Sequence, residues 1–328
     1  MHPSQALFQD HIQPMLLPVC DHYAGSEKLM RKSMQLQEQL GPLFDITFDC
    51  EDGAASGNEA QHARLVAELI NSEHNRHRRI GVRVHDLRHS AFEQDLSLIL
   101  PAAANRLAYL VLPKIDSADQ IRKALQRINF YAEMGGRKNL PVHVLIESHE
   151  ALAEVMAIAA IPQVECLSFG IMDFVSAHFG AIPAQAMRSP GQFQHPLIVR
   201  AKAEIAAACH RYGKVPSHNV TTEIADRNVV RQDAQHARDD LGYTRMWSIH
   251  PNQITDIIAV MAPGQDEIMT AAQILKSAQD NQWGPIQFNG HLHDRASYRY
   301  YWTILKRAKM SAITLPPLAQ EILEGDYT

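Results

Sequence analysis

Short apolar runs and amphipathic stretches alternate along the chain with a regular beat. The first apolar run spans 15–20, and helical spacing follows over 26–40 with Ser26 placed to cap it. Further strand-like runs fall at 44–52, 80–84, 107–112, 142–146, 164–169, 215–220 and 244–249. Between them lie helical patterns at 58–71, 91–100, 117–134, 149–160, 196–212 and 222–241, with a Pro- and Gly-rich irregular stretch at 182–195. Asn58 is a good N-cap, and Gly135-Gly136 and Gly213 stop the helices they follow. Eight such beats predict a (β/α)8 TIM barrel over 1–262. The runs read as nearly continuous, as expected of strands covered on both sides. A doubly wound open sheet is the rival, but neither GxGxxG nor GxxxxGK[ST] occurs.

Beyond the barrel, 263–328 predicts a C-terminal helical extension. It has a helix near 266–280, a turn-rich stretch at 283–294 and an aromatic segment SYRYYW at 297–302. This part is too small for an independent domain, so it packs on the barrel or against a neighbouring subunit.

Composition narrows the class. The 328 residues carry 31 basic and 36 acidic side chains, a net charge of −5, with no basic tail or stripe, which argues against nucleic-acid binding. Apolar stretches are short and broken by charge, so no membrane span is expected, and residues 1–15 lack the basic and apolar regions of a signal peptide. Cys20, Cys50, Cys166 and Cys209 are widely spaced without a CxxC pair and read as reduced core residues. A cytoplasmic protein is the expectation.

The chemistry lies where apolar runs meet acid. FDITFDCED, VHVLIE and CLSFGIMD each end in carboxylates, which are costly beside apolar residues unless paired or bound to a cation. In a barrel the C-terminal strand ends face the mouth. Those positions hold Asp49, Glu51, Asp52, Arg83, Lys114, Glu147, Asp173, Ser248 and His250. Glu147 and Asp173, ending strands five and six, would be neighbours and suit Mg²⁺ with positions left for substrate; as a structural alternative they are capping or salt-bridged acids. Zinc is disfavoured because no Cys or His cluster shares these positions.

Within a strand Asp49 and Glu51 share a face and Asp52 points oppositely; one pair of these acids suits hydrogen-bonding metal-bound waters or orienting Arg83, with capping of the next helix as the alternative. Arg83 suits bidentate recognition of a carboxylate, or an internal ion pair with Glu51 or Asp52. Lys114 suits an ion pair better than a Schiff base, since nearby acids keep it charged. His250 reads as a hydrogen-bonding histidine. The HLH of 291–293 is weak evidence for a metal, and His74, His77, His85 and His89 lie near surface-type charge runs.

Seven motifs occur in order: DCED at 49–52, VRV at 82–84, LPK at 112–114, IES at 146–148, FGIMDF at 169–174, SIHPNQI at 248–254 and NGHLHD at 289–294. Together, across about 14–305, they resemble the citrate lyase beta-subunit-like family, which includes malyl-CoA and citramalyl-CoA lyases. The resemblance implies a Mg²⁺-dependent TIM barrel that makes or cleaves a carbon–carbon bond of a hydroxyacyl thioester and releases a 2-keto acid. It implies that Glu147 and Asp173 ligate the metal, that Arg83 holds the keto acid, and that Glu51 and Asp52 support that shell. It further implies that Asp294 reaches a neighbouring subunit's site as a general acid/base, hence a homo-oligomer, commonly a trimer. Lys32 matches a CoA-binding lysine.

The chain departs from the family where the acyl carrier binds. The first run reads LLPVCDHYAGSEKLMRKS without the usual Pro-Gly and arginine, PSHN stands at 216–219, and Arg245-Met246-Trp247 precedes SIHP. Two other readings follow: an aldolase of free hydroxy or keto acids without CoA, and a non-catalytic ligand-binding subunit.

Overall fold

The computed structural model describes residues 1–8, 12–54 and 57–324. Residues 9–11 of the N-terminal stretch and 325–328 of the C-terminal region lie outside it. Eight parallel strands close into a barrel: β1 (Cys20–Ala24), β2 (Asp45–Asp49), β3 (Ile80–Arg83), β4 (Leu110–Leu112), β5 (Val142–Ile146), β6 (Val164–Phe169), β7 (Val215–His218) and β8 (Arg245–Ser248). Each pairs with its neighbours, and β8 pairs with β1 to complete the ring. Helices follow the strands as the periodicity predicts, with Glu27–Leu40 capped by Ser26 and Pro196–Tyr212 stopped by Gly213 in a left-handed conformation. Among the described residues, no helix is long and apolar enough to cross a membrane. All four cysteines are buried and free.

Several boundaries move for identifiable reasons. The 15–20 run is not the first strand. Pro14 and Pro18 lack an N–H for the ladder, and β1 starts at Cys20. The 44–52 strand stops at Asp49, so Glu51 and Asp52 sit in a turn and the strand-face pattern does not apply to them. The 149–160 helix breaks into His149–Ala153 and Val155–Ala159, where Glu154 turns to accept from the Ala118 N–H at 2.8 Å. The helix predicted from 222 starts at Arg227, capped by Asp226. Asn58 stands at its predicted cap position but makes no side-chain cap hydrogen bond. The turn-rich 283–294 stretch holds a hairpin, β9 (Ile286–Phe288) and β10 (His291–His293). Asn289-Gly290, both at positive φ, forms its turn.

The barrel strands are less continuous than they read, because polar side chains fill many of their inward positions. Ile46 and Phe48 join the core under the helices, while Asp45, Thr47 and Asp49 occupy the alternate, inward positions. The same alternation turns Arg83 inward on β3 and sets His143, Leu145 and Glu147 on one line of β5. The interior therefore stacks in layers. The lowest is ionic: fully buried Arg245 pairs with Asp21 at 3.0 Å and Asp45 at 2.7 Å and donates to the Pro18 carbonyl at 2.6 Å. Thr47 and Tyr109 both donate to Asp21, and His143 stacks on Tyr109 with centroids 3.8 Å apart. Burial still pushes the Asp45 carboxyl up, against the charge of Arg245. Above lies an apolar layer of Val111, Leu145 and Trp247, with Tyr23 stacked on Trp247. The layer above that faces the mouth.

The C-terminal region is helical, with Gln265–Asp280, Arg295–Met310 and Pro317–Leu323 sharing a second apolar cluster around Trp283, Tyr298 and Trp302. Arg299–Ser311 lines a cavity together with Val19, Val215 and Thr244, which sit at the starts of strands, and Arg79 donates to Met310. This helix thus lies against the barrel floor, opposite the mouth.

Removing one partner of a buried ion cluster strands the others. Arg245→Met leaves Asp21 and Asp45 without their cation, and urea unfolding should show a loss of about 3–5 kcal/mol.

Candidate active site

The turn after β2 is organised by Asp49. Its Oδ1 accepts from the Glu51 N–H at 3.0 Å and its Oδ2 from the Gly53 N–H at 2.8 Å. The same two oxygens take Arg83 bidentately, Nε at 2.7 Å and Nη2 at 2.6 Å. Arg83 also pairs with Glu51 at 3.2 Å and lies over the Tyr23 ring. Burial works against its charge, but the hydrogen bonds and charge of Asp49 outweigh that and drive the pKa up. Of the internal partners expected for Arg83, Glu51 is present and Asp52 is replaced by Asp49.

Lys114 follows β4 and reaches back across the mouth. Its ammonium pairs with Glu51 and, at 3.0 Å, with Asp52. Burial would lower its pKa, yet its hydrogen bonds to both acids raise it, so the lysine stays cationic as an ion-pair partner. Its backbone is left-handed, φ 51, and directs its N–H onto Glu147 Oε1 at 2.5 Å.

Glu147 directly follows β5 and is 5% exposed. Burial first, then the negative charge of Asp173, pushes its pKa up to about 8. Asp173 is not at a strand end as expected: it lies on the exposed first turn of the helix Ile171–Ser176, beyond β6. The two carboxylates are still brought together electrostatically. Gly170, between β6 and that helix, leaves the room that Glu147 needs. A Cβ there would stand 2.4 Å from Glu147 Oε2.

The donor set fits a hard divalent cation. Two carboxylates share one place, and one of them is buried with no ion-pair partner among the described residues. A cation would relieve the repulsion that raises Glu147. Among the described residues, no cluster of three or more His, Cys, Asp or Glu ligands occurs, so solvent or substrate must fill the other positions.

A mouth cavity of about 350 Å³ is lined by Glu51, Asp52, Glu59, His85, His89 and Lys114, among others. His85 corrects the surface reading: it is 8% exposed and held by buried Asp95. Sequence reasoning passed over it because its partner lies ten residues away across a turn. Ser248 and His250, also expected at the mouth, have local roles. Ser248 donates to the His250 carbonyl, and His250 caps the helix Pro251–Met261. Lys32 lies on the exposed face of Glu27–Leu40 and touches none of these groups. Asp294 caps Arg295–Met310, accepting from the Ala296 N–H at 2.9 Å, and is not brought to the mouth of its own barrel.

An arginine, a lysine and a cation-ready carboxylate pair thus gather at the mouth of a (β/α)8 barrel, the arrangement of a TIM-barrel enzyme. Residues 43–251 match the family described as HpcH/HpaI aldolase/citrate lyase, and the chain belongs to that family of carbon–carbon lyases. It is 26% identical over 282 residues to the L-malyl-CoA/beta-methylmalyl-CoA lyase of Cereibacter sphaeroides, covering 81% of this chain and 87% of that protein. A crystal structure described as a citrate lyase from Burkholderia xenovorans is 56% identical, with a TM-score of 0.87 over 98% of this chain and 99% of that one. Protein CitE of Mycobacterium tuberculosis, in complex with magnesium, acetoacetate and coenzyme A, shares the fold: TM-score 0.67 at 19% identity over 90% of this chain and 98% of that one.

Because Gly170 abuts Glu147, Gly170→Ala forces a methyl against that side chain. Chemical denaturation should show a loss of about 1–3 kcal/mol, the usual cost of overpacking.

Proposed function

We propose that the chain is a Mg²⁺-dependent lyase of a hydroxyacyl thioester, such as a malyl-CoA, citramalyl-CoA or citryl-thioester analogue, releasing a 2-keto acid. The observation that carries this reading is the buried, unpaired Glu147 beside Asp173, within the family and facing an arginine-bearing mouth. Glu147 and Asp173 would hold the cation, which when bound acts as a Lewis acid on the keto-acid oxygens.

The residues of the chain supply the rest. Arg83, fixed by Asp49 and Glu51, offers a positive group to the keto-acid carboxylate. Glu51 and Asp52 hold Lys114 so that its cationic end closes the same side of the mouth. Asp294, at the far end of its own barrel, could serve only the mouth of a second copy, which supports a homo-oligomer with Asp294 as an acid/base in trans. A second reading keeps the cation and keto acid but uses free hydroxy acids. It is favoured by Lys32 standing apart from the mouth and by the altered first run.

Turnover of malyl-CoA against free hydroxy acids, with and without EDTA, separates the two readings. EDTA should abolish activity in either case, and Asp173→Ala should reduce it at least 10²-fold; full activity of that variant removes the site assignment.

Glu147 also sets a pH dependence in the metal-free protein. Its folded pKa, about 8, lies above the ordinary 4.5, so its contribution to stability is present below 4.5 and lost as pH rises through 8. Thermal melts of the EDTA-treated protein should fall between pH 6 and 9, and Glu147→Gln should flatten that fall. Added Mg²⁺ should restore the wild-type melt at high pH and leave the variant unmoved.

A further inference from the structure

His85 stands two residues past Arg83, on the loop that leaves β3. Asp95, fully buried on the helix Phe92–Ala103, fixes it twice. One oxygen, Oδ2, accepts from the His85 backbone N–H at 2.9 Å and bonds the ring Nδ1 at 2.7 Å. A carboxylate on Nδ1 assigns the proton there and leaves Nε2 as the free basic nitrogen. Nε2 has no protein partner among the described residues, and the side chain lines the mouth cavity with Glu51, Asp52 and Lys114. His89 stacks on the ring at 4.5 Å, nearly parallel, which restricts its tilt.

The charged groups around it come from every neighbouring element. Asp95 lies behind, Asp86 and His89 on its own loop, Glu51 and Asp52 after β2, Glu59 on Glu59–Asn71, and Lys114 after β4. Burial lowers the imidazole pKa, and the hydrogen bond and charge of Asp95, with Glu51 and Glu59 further out, more than reverse this. The neutral ring thus becomes the major form only above the ordinary histidine range.

We propose that His85, oriented by Asp95, is the resident proton carrier of the carbon–carbon bond reaction. This rests on the lyase reading above. In cleavage, Nε2 takes the proton of the substrate hydroxyl while the carbon–carbon bond breaks. The oxygen becomes the keto-acid carbonyl, and the bonding pair passes to the thioester α-carbon as an enolate. Protonated Asp294, in trans as in the reading above, gives its proton to that carbon and is recharged by the imidazolium, so both groups end as they began and no further reactant is required. Condensation runs the same transfer backwards. Asp95 is a positioning residue that keeps the tautomer and the ring in place.

The test uses the full chain with Mg²⁺ and the thioester that wild type turns over. His85→Ala and His85→Gln should lower kcat/KM by about 10²–10⁴-fold, the usual share of a positioned acid/base, with pyruvate or glyoxylate affinity by calorimetry unchanged. The acidic limb of the wild-type kcat/KM profile should disappear in both variants, and added imidazole should restore part of the His85→Ala rate. Asp95→Asn should shift that limb to lower pH. Variants within threefold of wild type, with the limb retained, would overturn the assignment to His85 while leaving the lyase reading intact. A wild-type enzyme inactive on every hydroxyacyl thioester and hydroxy acid would overturn both.

Discussion

A carboxylate removed from water needs a partner, and this constraint orders the whole interior of the barrel. Asp21 and Asp45 at the floor share Arg245, and Asp49 near the mouth holds Arg83 bidentately. Glu147 breaks the rule. It is buried like the others, and among the described residues it has a backbone N–H but no ion pair; burial and the second acid beside it outweigh the charge of Arg83, and its proton affinity rises accordingly. The fold thus gives Asp21, Asp45 and Asp49 internal cations and leaves Glu147 at the place where an external one would complete the match.

The layering explains why the mouth can hold such a group. Arg245 ties β8 to β1 and β2 at the point of closure, and the apolar layer of Val111, Leu145 and Trp247 separates it from the mouth. The side chains above are therefore seated on a packed interior rather than on loops alone. Asp49 links the two levels, since it ends a barrel strand and also organises the turn that carries Glu51.

Much of this was legible in the sequence because period and position carry it. The eight-beat alternation gives the barrel, and strand ends give Arg83, Lys114 and Glu147. What period alone hides is the side each residue faces: 44–49 alternates apolar and polar, and only closure makes its polar positions internal. Asp21 and Arg245 lie more than 200 residues apart and meet through ring closure, which no local pattern announces. Asp173 looks like a strand end but follows a glycine, on the first turn of a short helix. The hairpin around Asn289-Gly290, by contrast, was available from turn chemistry.

Lys114 serves two neighbours with different parts of itself. Its side chain answers to Glu51 and Asp52, while its amide, turned by a left-handed backbone, answers to Glu147. Side-chain scanning at this position reads mainly the first partnership, because unbranched residues and glycine that accept the left-handed backbone keep the second. The hold on Glu147 is thereby decoupled from residue identity at 114. Exchanging that lysine for another unbranched residue would therefore release Glu51 and Asp52 and leave the grip on the buried acid in place.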